Sequence, residues 1–134
     1  MADLEFQRVR EYKDFSLTMG MNPITNDIVA VTGEEAVKRS IKNLLYTVAG
    51  EVPFFPNFGS TINRLLFEPI DPITIINLES AIRACIEAFE PRVRIQSLVI
   101  TPDVDELQFK VDITLRLVNL LAPITVSVFL KRLR

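Results

Sequence analysis

Histidine is absent from this sequence, and so is tryptophan. Without histidine there are no Ser-His or Cys-His nucleophilic pairs, no histidine general base, and none of the commonest metal ligand. Enzyme classes shrink to those run by carboxylates, lysine or tyrosine. Cys85 is the single cysteine, which excludes an intrachain disulfide and fits a cytosolic origin. It shares a helical face with Leu78, Ile82 and Phe89, so a buried, inert thiol is expected. Charge of one sign is also scarce. Fifteen Lys and Arg stand against 17 Asp and Glu, a formal net charge of -2, so no global field attracts nucleic acid. No apolar run reaches the roughly 18–20 residues that span a bilayer. Met1-Ala2-Asp3-Leu4-Glu5 lacks the cationic start of a secretory signal. Repeats and low-complexity segments are missing too.

Apolar side chains are what the chain has in plenty: 49% of 134 residues are hydrophobic, with mean hydropathy +0.26. That length suggests a single domain over 1–134 that buries a core without disulfides or metals. The surplus apolar surface points to a dense core and a permanent partner.

The pattern divides into a mainly helical half, 14–90, and a strand half, 91–134. Residues 1–13, with Phe6, Val9 and Tyr12 at helical spacing, read as a short helix or an arm. Alternation of Phe15, Leu17 and Met19 predicts a strand over Asp14–Met19. Turn chemistry follows over Met21–Asp27, then a short extended piece at Ile28–Val31. Thr32-Gly33-Glu34-Glu35 is a capping box. Its helix places Val37, Ile41, Leu44, Leu45 and Val48 on one face and ends at Gly50. Glu34 with Lys38, and Glu35 with Arg39, are favourable i,i+4 pairs on the other face.

Pro53-Phe54-Phe55-Pro56-Asn57-Phe58 is read as a structured loop that buries its phenylalanines over the core. Ser60 is expected to cap a short helix through Leu66. Asp71 and Pro72 open a third helix as N-cap and N1, with Ile75, Leu78, Ile82, Cys85, Ile86 and Phe89 as its buried face. Three strands follow: Val93–Thr101, Glu106–Val118 and Ile124–Leu133, with turns at Pro102–Asp105 and Asn119–Pro123. Leu107, Phe109, Val111, Ile113, Leu115 and Leu117 make the clearest alternation. Ile124, Val126, Val128 and Leu130 continue it. The expected fold is α+β, with N-terminal helices packed on one face of a mainly antiparallel C-terminal sheet.

Glu90-Pro91-Arg92 is the most informative stretch. Pro91 ends the helix and extends the chain, and a carboxylate at a helix C-terminus opposes the macrodipole. Glu90, Arg92, Arg94 and Gln96 then line one side of the strand, with Val93 and Ile95 on the other. Two readings stay open. One is an ordinary surface ion pair worth ~0–1 kcal/mol. The other is a stiffened recognition motif for a partner. On the docking reading too, Arg92→Ala is expected to leave the fold nearly untouched while assembly with the partner fails.

Taken in order, these pieces resemble the baseplate-wedge, sheath-initiator family of contractile phage tails, the family of the T-even gene 25 product. Asn22-Pro23-Ile24-Thr25-Asn26-Asp27-Ile28 carries the resemblance first, followed by the helix Val37–Thr47. Gly50-Glu51, Pro53, Pro56, Phe58-Gly59-Ser60, Leu66-Phe67-Glu68 and Glu90-Pro91-Arg92 complete it. Asn26 departs from a glycine common at that turn, and asparagine also tolerates left-handed geometry.

The resemblance implies a structural, non-enzymatic part of the tail baseplate of a virion, assembled in the host cytoplasm and needing no cofactor or metal. Its implied partners are other baseplate wedge subunits, the tail sheath protein and tail tube proteins, with no nucleic acid and no membrane. Glu90, Pro91, Arg92 and Arg94 would dock the wedge core. Ile124, Val126, Ser127, Val128, Leu130 and Lys131 would form a sheath-facing edge, where an arm adds a strand. Related proteins serve type VI secretion and other contractile injection systems, a second possible setting.

The competing class is a lysozyme-type glycosidase that cleaves peptidoglycan, a label some members of the family carry. It needs two carboxylates about 5–5.5 Å or ~6.5–9.5 Å apart. Glu51, Glu68 and Glu90 are the candidates, yet Arg92 beside Glu90 spoils it as a general acid. A generic cytosolic adaptor is a third reading.

Overall fold

A computed structural model describes residues 12–16, 18–118 and 122–132. The expected arm at 1–13 therefore falls mostly outside the described residues, as do Leu17, Asn119 and Leu133. The chain divides into two compact units between Arg39 and Ser40.

The first unit is a hairpin followed by the start of a helix. β1 (Lys13–Phe15) pairs antiparallel with β2 (Ala30–Thr32), in the register Lys13↔Thr32 to Phe15↔Ala30. β1 is shorter than the alternation suggests: Ser16 is buried and already outside the strand. The expected turn does close the hairpin. Asn22 Oδ1 accepts the Ile24 N–H at 2.9 Å, and the Asn22 N–H donates to Asp27 O at 2.8 Å. Asn26 sits at φ +53, the left-handed geometry that asparagine tolerates.

Helix α1 (Gly33–Tyr46) begins where the capping box predicts, but Thr32 is the last residue of β2. Gly33, at φ +63, turns the corner, and its N–H donates to Tyr12 O at 2.8 Å. The charged pairs differ from expectation as well. Lys38 meets Glu35 at 3.4 Å, three residues away, and Arg39 donates to Ser16 Oγ at 3.2 Å. The first is an i,i+3 pair and the second spans 23 residues, so an i,i+4 rule sees neither.

In the second unit α1 stops at Tyr46, before Gly50 and Val48. The reason lies in the backbone. Val48 leaves the helix to bridge Ser60 in parallel, with Ser60 N–H to Thr47 O at 2.8 Å and Ala49 N–H to Ser60 O at 3.1 Å. Gly59 makes this approach possible. It sits at φ +115, and a Cβ there would lie 2.8 Å from Thr47 O and 2.9 Å from the Val48 carbonyl carbon.

Ser60 is buried, and its hydroxyl donates to Leu45 O at 2.9 Å; it does not cap the next helix. α2 (Ile62–Leu65) instead follows Thr61, whose side chain makes no cap bond. α3 (Pro72–Phe89) starts as read from the sequence: Asp71 Oδ1 accepts the Thr74 N–H at 2.7 Å, with Pro72 at N1. That hydrogen bond lowers the Asp71 pKa. Leu78, Ile82, Cys85 and Ile86 are buried, while Ile75 and Phe89 are half-buried. Burial pushes the Cys85 thiol up to about 11, consistent with an inert packing role.

β3 (Val93–Asp103), β4 (Gln108–Leu117) and β5 (Pro123–Lys131) form an antiparallel sheet in that order. Phe109, Val111, Ile113, Leu115 and Leu117 of β4 are buried, as are Ile124, Val126, Val128 and Leu130 of β5. α3 packs on β3 and α2. The chain is thus α+β with an antiparallel C-terminal sheet. Several boundaries move, one of them the end of β4, which falls at Leu117 instead of Val118. Pro102 and Asp103 extend β3, and Pro123 opens β5. Leu107 lies in the turn at φ +51, not in β4, and its carbonyl accepts the Arg132 N–H at 2.8 Å.

The proline–phenylalanine loop overturns its expectation. Phe54 is 97% exposed and Phe55 67% exposed. Among the described residues only Phe58 of the three finds a ring partner, meeting Phe89 edge-to-face at a centroid distance of 5.2 Å. The loop does not bury its phenylalanines on the core.

Candidate functional site

Glu90 is the C-cap residue of α3, and its N–H completes the helix by donating to Ile86 O. Pro91 cannot continue the helix, so the chain turns into β3. At φ -125 and ψ 78 the Glu90 side chain folds inward, and the residue is only 3% exposed. Its carboxylate is gripped on both oxygens. Arg92 Nε donates to Oε1 at 2.5 Å and Arg92 Nη2 to Oε2 at 2.7 Å. Ser40 of α1 donates its hydroxyl to Oε2 at 2.6 Å, and Arg92 Nη2 also reaches Ser40 Oγ at 3.1 Å.

The surface-pair reading is therefore incorrect, and Glu90 does not share the exposed side of the strand with Arg94 and Gln96. Residues fifty positions apart close this triad, which no local pattern could reveal. Burial by itself would raise the Glu90 pKa. The Arg92 and Ser40 hydrogen bonds and the Arg92 charge outweigh that, and hold it below the usual carboxylate range. Of the four expected docking residues, Pro91 and Arg94 are exposed, Arg92 is half-buried and Glu90 is buried.

The second candidate region is the outer edge of β5. Among the described residues no strand pairs with it. Two hydrogen bonds fix which backbone groups face outward. The Arg132 N–H points to the β4 side, where it donates to Leu107 O, while Phe129 O points away and accepts the Tyr46 hydroxyl at 3.1 Å. In an antiparallel strand such groups alternate. Thr125, Ser127, Phe129 and Lys131 thus present their N–H and C=O to the open edge. Ile124, Val126, Val128 and Leu130 bond to β4 with their backbones and bury their side chains. Within the expected edge set only Ser127 and Lys131 have both exposed side chains and outward backbone groups. Ser127 Oγ also donates to Asp112 Oδ1 at 2.6 Å, the largest of the effects that lower the Asp112 pKa.

The three glutamates weighed as glycosidase residues are not brought together. Glu68 lines a shallow depression between α2 and α3 with Arg64, Asn77 and Ser80. Glu51 lines another, with Asn43, Tyr46 and Pro53, and its Oε2 accepts the Val48 N–H at 3.2 Å. Glu90 is sealed against Arg92. Among the described residues no group of three His, Cys, Asp or Glu side chains could hold a metal ion. No helix there is long and apolar enough to cross a membrane.

A small α+β domain with a buried carboxylate held by a guanidinium at a helix–strand junction, and a β5 edge that no strand pairs with among the described residues, has the make-up of an assembly component. Comparison with known proteins makes that specific. Residues 31–120 match the family model described as baseplate wedge protein gp25, so the chain belongs to the baseplate wedge protein gp25 family. Its role is the structural one of a component of a contractile-tail baseplate wedge. The chain is 27% identical over 108 residues to baseplate wedge protein gp25 of Enterobacteria phage T4, covering 81% of each.

Among solved structures, a chain of the anti-feeding prophage baseplate superposes with TM-score 0.72 at 26% identity, covering 83% of this chain and 89% of that one. A Geobacter sulfurreducens protein described as a candidate tail lysozyme gives TM-score 0.66 at 27% identity, over 77% of this chain and 96% of that one. A chain of the contracted pyocin R2 baseplate shares the fold, with TM-score 0.54 at 19% identity over 82% and 96% of the two chains. The chain is thus a tail-baseplate component whose neighbours are other baseplate subunits.

Proposed function

We propose that this chain docks on the inner wedge core and starts tail-sheath assembly by lending the edge of β5 to an extended arm of a sheath subunit. The outward backbone row Thr125, Ser127, Phe129 and Lys131 carries the reading. Unpaired N–H and C=O groups on a strand edge are a template for strand addition. Lys131 charges that edge, which discourages pairing between identical chains while the arm is absent. An arm that pairs along the full edge must take or share the Phe129 carbonyl with Tyr46. Wedge docking is assigned to Pro91 and Arg94, with the Glu90–Arg92 pair holding the turn that presents them. Tail tube proteins are further neighbours, assembly takes place in the host cytoplasm, and no cofactor, nucleic acid or membrane takes part. The same design would serve a bacterial contractile injection or type VI secretion baseplate.

Baseplates assembled without this chain should fail to nucleate sheath, and adding the purified chain should restore polymerisation. Sheath growth at an unchanged rate without it would contradict the reading. The proposed role is non-enzymatic, supported by the dispersal of Glu51, Glu68 and Glu90. Purified protein should therefore leave peptidoglycan intact. Cleavage that survives purification and falls in Glu51→Gln, Glu68→Gln or Glu90→Gln would reverse that conclusion.

A further inference from the structure

The outer face of the sheet sets two cations against each other across neighbouring strands. Arg94 of β3 stands directly opposite Arg116 of β4. Both are exposed, and both point away from the core, because Val93, Leu115 and Leu117 beside them are buried. Side chains opposite one another on a sheet have Cβ atoms roughly 4.5–5.5 Å apart, and like charges there destabilise the pair. Other cations of the sheet and its helix meet an acid: Lys110 meets Asp112 at 3.1 Å, Arg83 meets Glu79 at 3.3 Å, and Arg92 is held by Glu90. No hydrogen bond or ion pair within the described residues engages Arg94 or Arg116. The next row on that face is Ser97, Thr114 and Thr125, which supplies no acid. A local violation without internal compensation is the mark of a site whose compensation comes from outside.

We infer that Arg94 and Arg116 together form a docking site for an acidic segment of a partner protein, a feature that rests on the wedge-docking reading only for where that partner is found. Two guanidinium forks side by side suit carboxylates, each of which an arginine can bind bidentately. The flank of the site is apolar. Val118 is 62% exposed, and its N–H donates to Arg92 O at 3.1 Å, which seats it beside the Pro91–Arg92 turn. Pro91 is exposed next to it. The occupant that fits is a peptide with acidic residues followed by an apolar one. A nucleic-acid backbone is the poorer match. It requires a tract of cations, whereas the chain as a whole carries a net charge of -2.

Arg116 extends the expected docking set beyond Arg94 and onto a second strand. The full-length chain would be titrated with a fluorescein-labelled octaglutamate peptide ending in leucine, and with a dT8 oligonucleotide, by anisotropy. The peptide should bind, should weaken as salt rises, and should lose at least about tenfold in affinity in Arg94→Glu and in Arg116→Glu. Each reversal should also raise the thermal midpoint of the free domain, by roughly 1–4 °C, because it turns a like-charge pair into an ion pair. That gain in stability with a loss of binding separates a docking site from a structural one. Peptide affinity unchanged in both variants, lower midpoints in both, or tighter arginine-dependent binding of dT8 would overturn the assignment. Failure of the wild-type chain to enter baseplates, with peptide binding intact, would instead count against the wedge-docking reading alone.

Discussion

Arg92→Ala should destabilise the domain by about 3–5 kcal/mol, the cost of stranding a buried charge without its partner. Glu90 is 3% exposed, and Arg92 supplies two of its hydrogen bonds, leaving Ser40 alone to satisfy the carboxylate. Arg92 keeps 29% of its side chain in solvent, which favours the lower half of that range. Replacing both partners with apolar side chains, Glu90→Leu with Arg92→Leu, should recover much of the loss, because no charge then remains to be desolvated.

Urea unfolding followed by circular dichroism reads both effects. A loss under about 1 kcal/mol in Arg92→Ala would restore the surface-pair reading. Acid adds a second signature. The folded-state pKa of Glu90 lies below its unfolded value of about 4.3, so the folded state favours the ionised form. Its contribution is therefore complete above about pH 4.3 and fades as pH falls through the folded pKa. Glu90→Gln should remove that part of the acid sensitivity.

Ser127→Pro should fold, join the baseplate and fail to start the sheath. Phe129 O and the Arg132 N–H place the Ser127 N–H on the outward side of β5, so proline there removes no bond to β4. What it removes is one donor to an incoming arm. The ring also disturbs the edge that the arm must follow. Ser127→Pro loses the hydroxyl bond to Asp112 as well, so Ser127→Ala is the matched control. Sheath polymerisation from Ser127→Ala baseplates should resemble wild type, and that from Ser127→Pro baseplates should be abolished. Equal polymerisation from all three would remove the edge from the mechanism.

Sequence patterns captured what short-range physics decides. The alternation of Phe109 to Leu117 fixed β4, and Asp71-Pro72 fixed the start of α3, because burial on one face and an N-cap are local demands. Asn26 announced its left-handed turn in the same way. What stayed hidden depends on contacts between distant residues. Ser40 converts Glu90 from a surface acid into a buried one across fifty positions. Thr47 and Val48 require the bare backbone of Gly59, which ends α1 two residues earlier than the hydrophobic face suggests.

Phe54 failed for a different reason. Apolar character argues for burial, yet a residue at φ +69 between two prolines is held outward at 97% exposure. Arg94 was legible as a docking residue from the motif, but Arg116 was not. Only the register of β3 on β4 sets the two arginines opposite one another.

The most direct test of the sheath-starter role is a cryo-electron microscopy reconstruction of the assembled baseplate at side-chain resolution. Continuous ladder density should join Thr125, Ser127, Phe129 and Lys131 to an extended arm of a sheath subunit, with Tyr46 moved from, or sharing, the Phe129 carbonyl. A β5 edge left in solvent beneath a fully formed first sheath ring would contradict it.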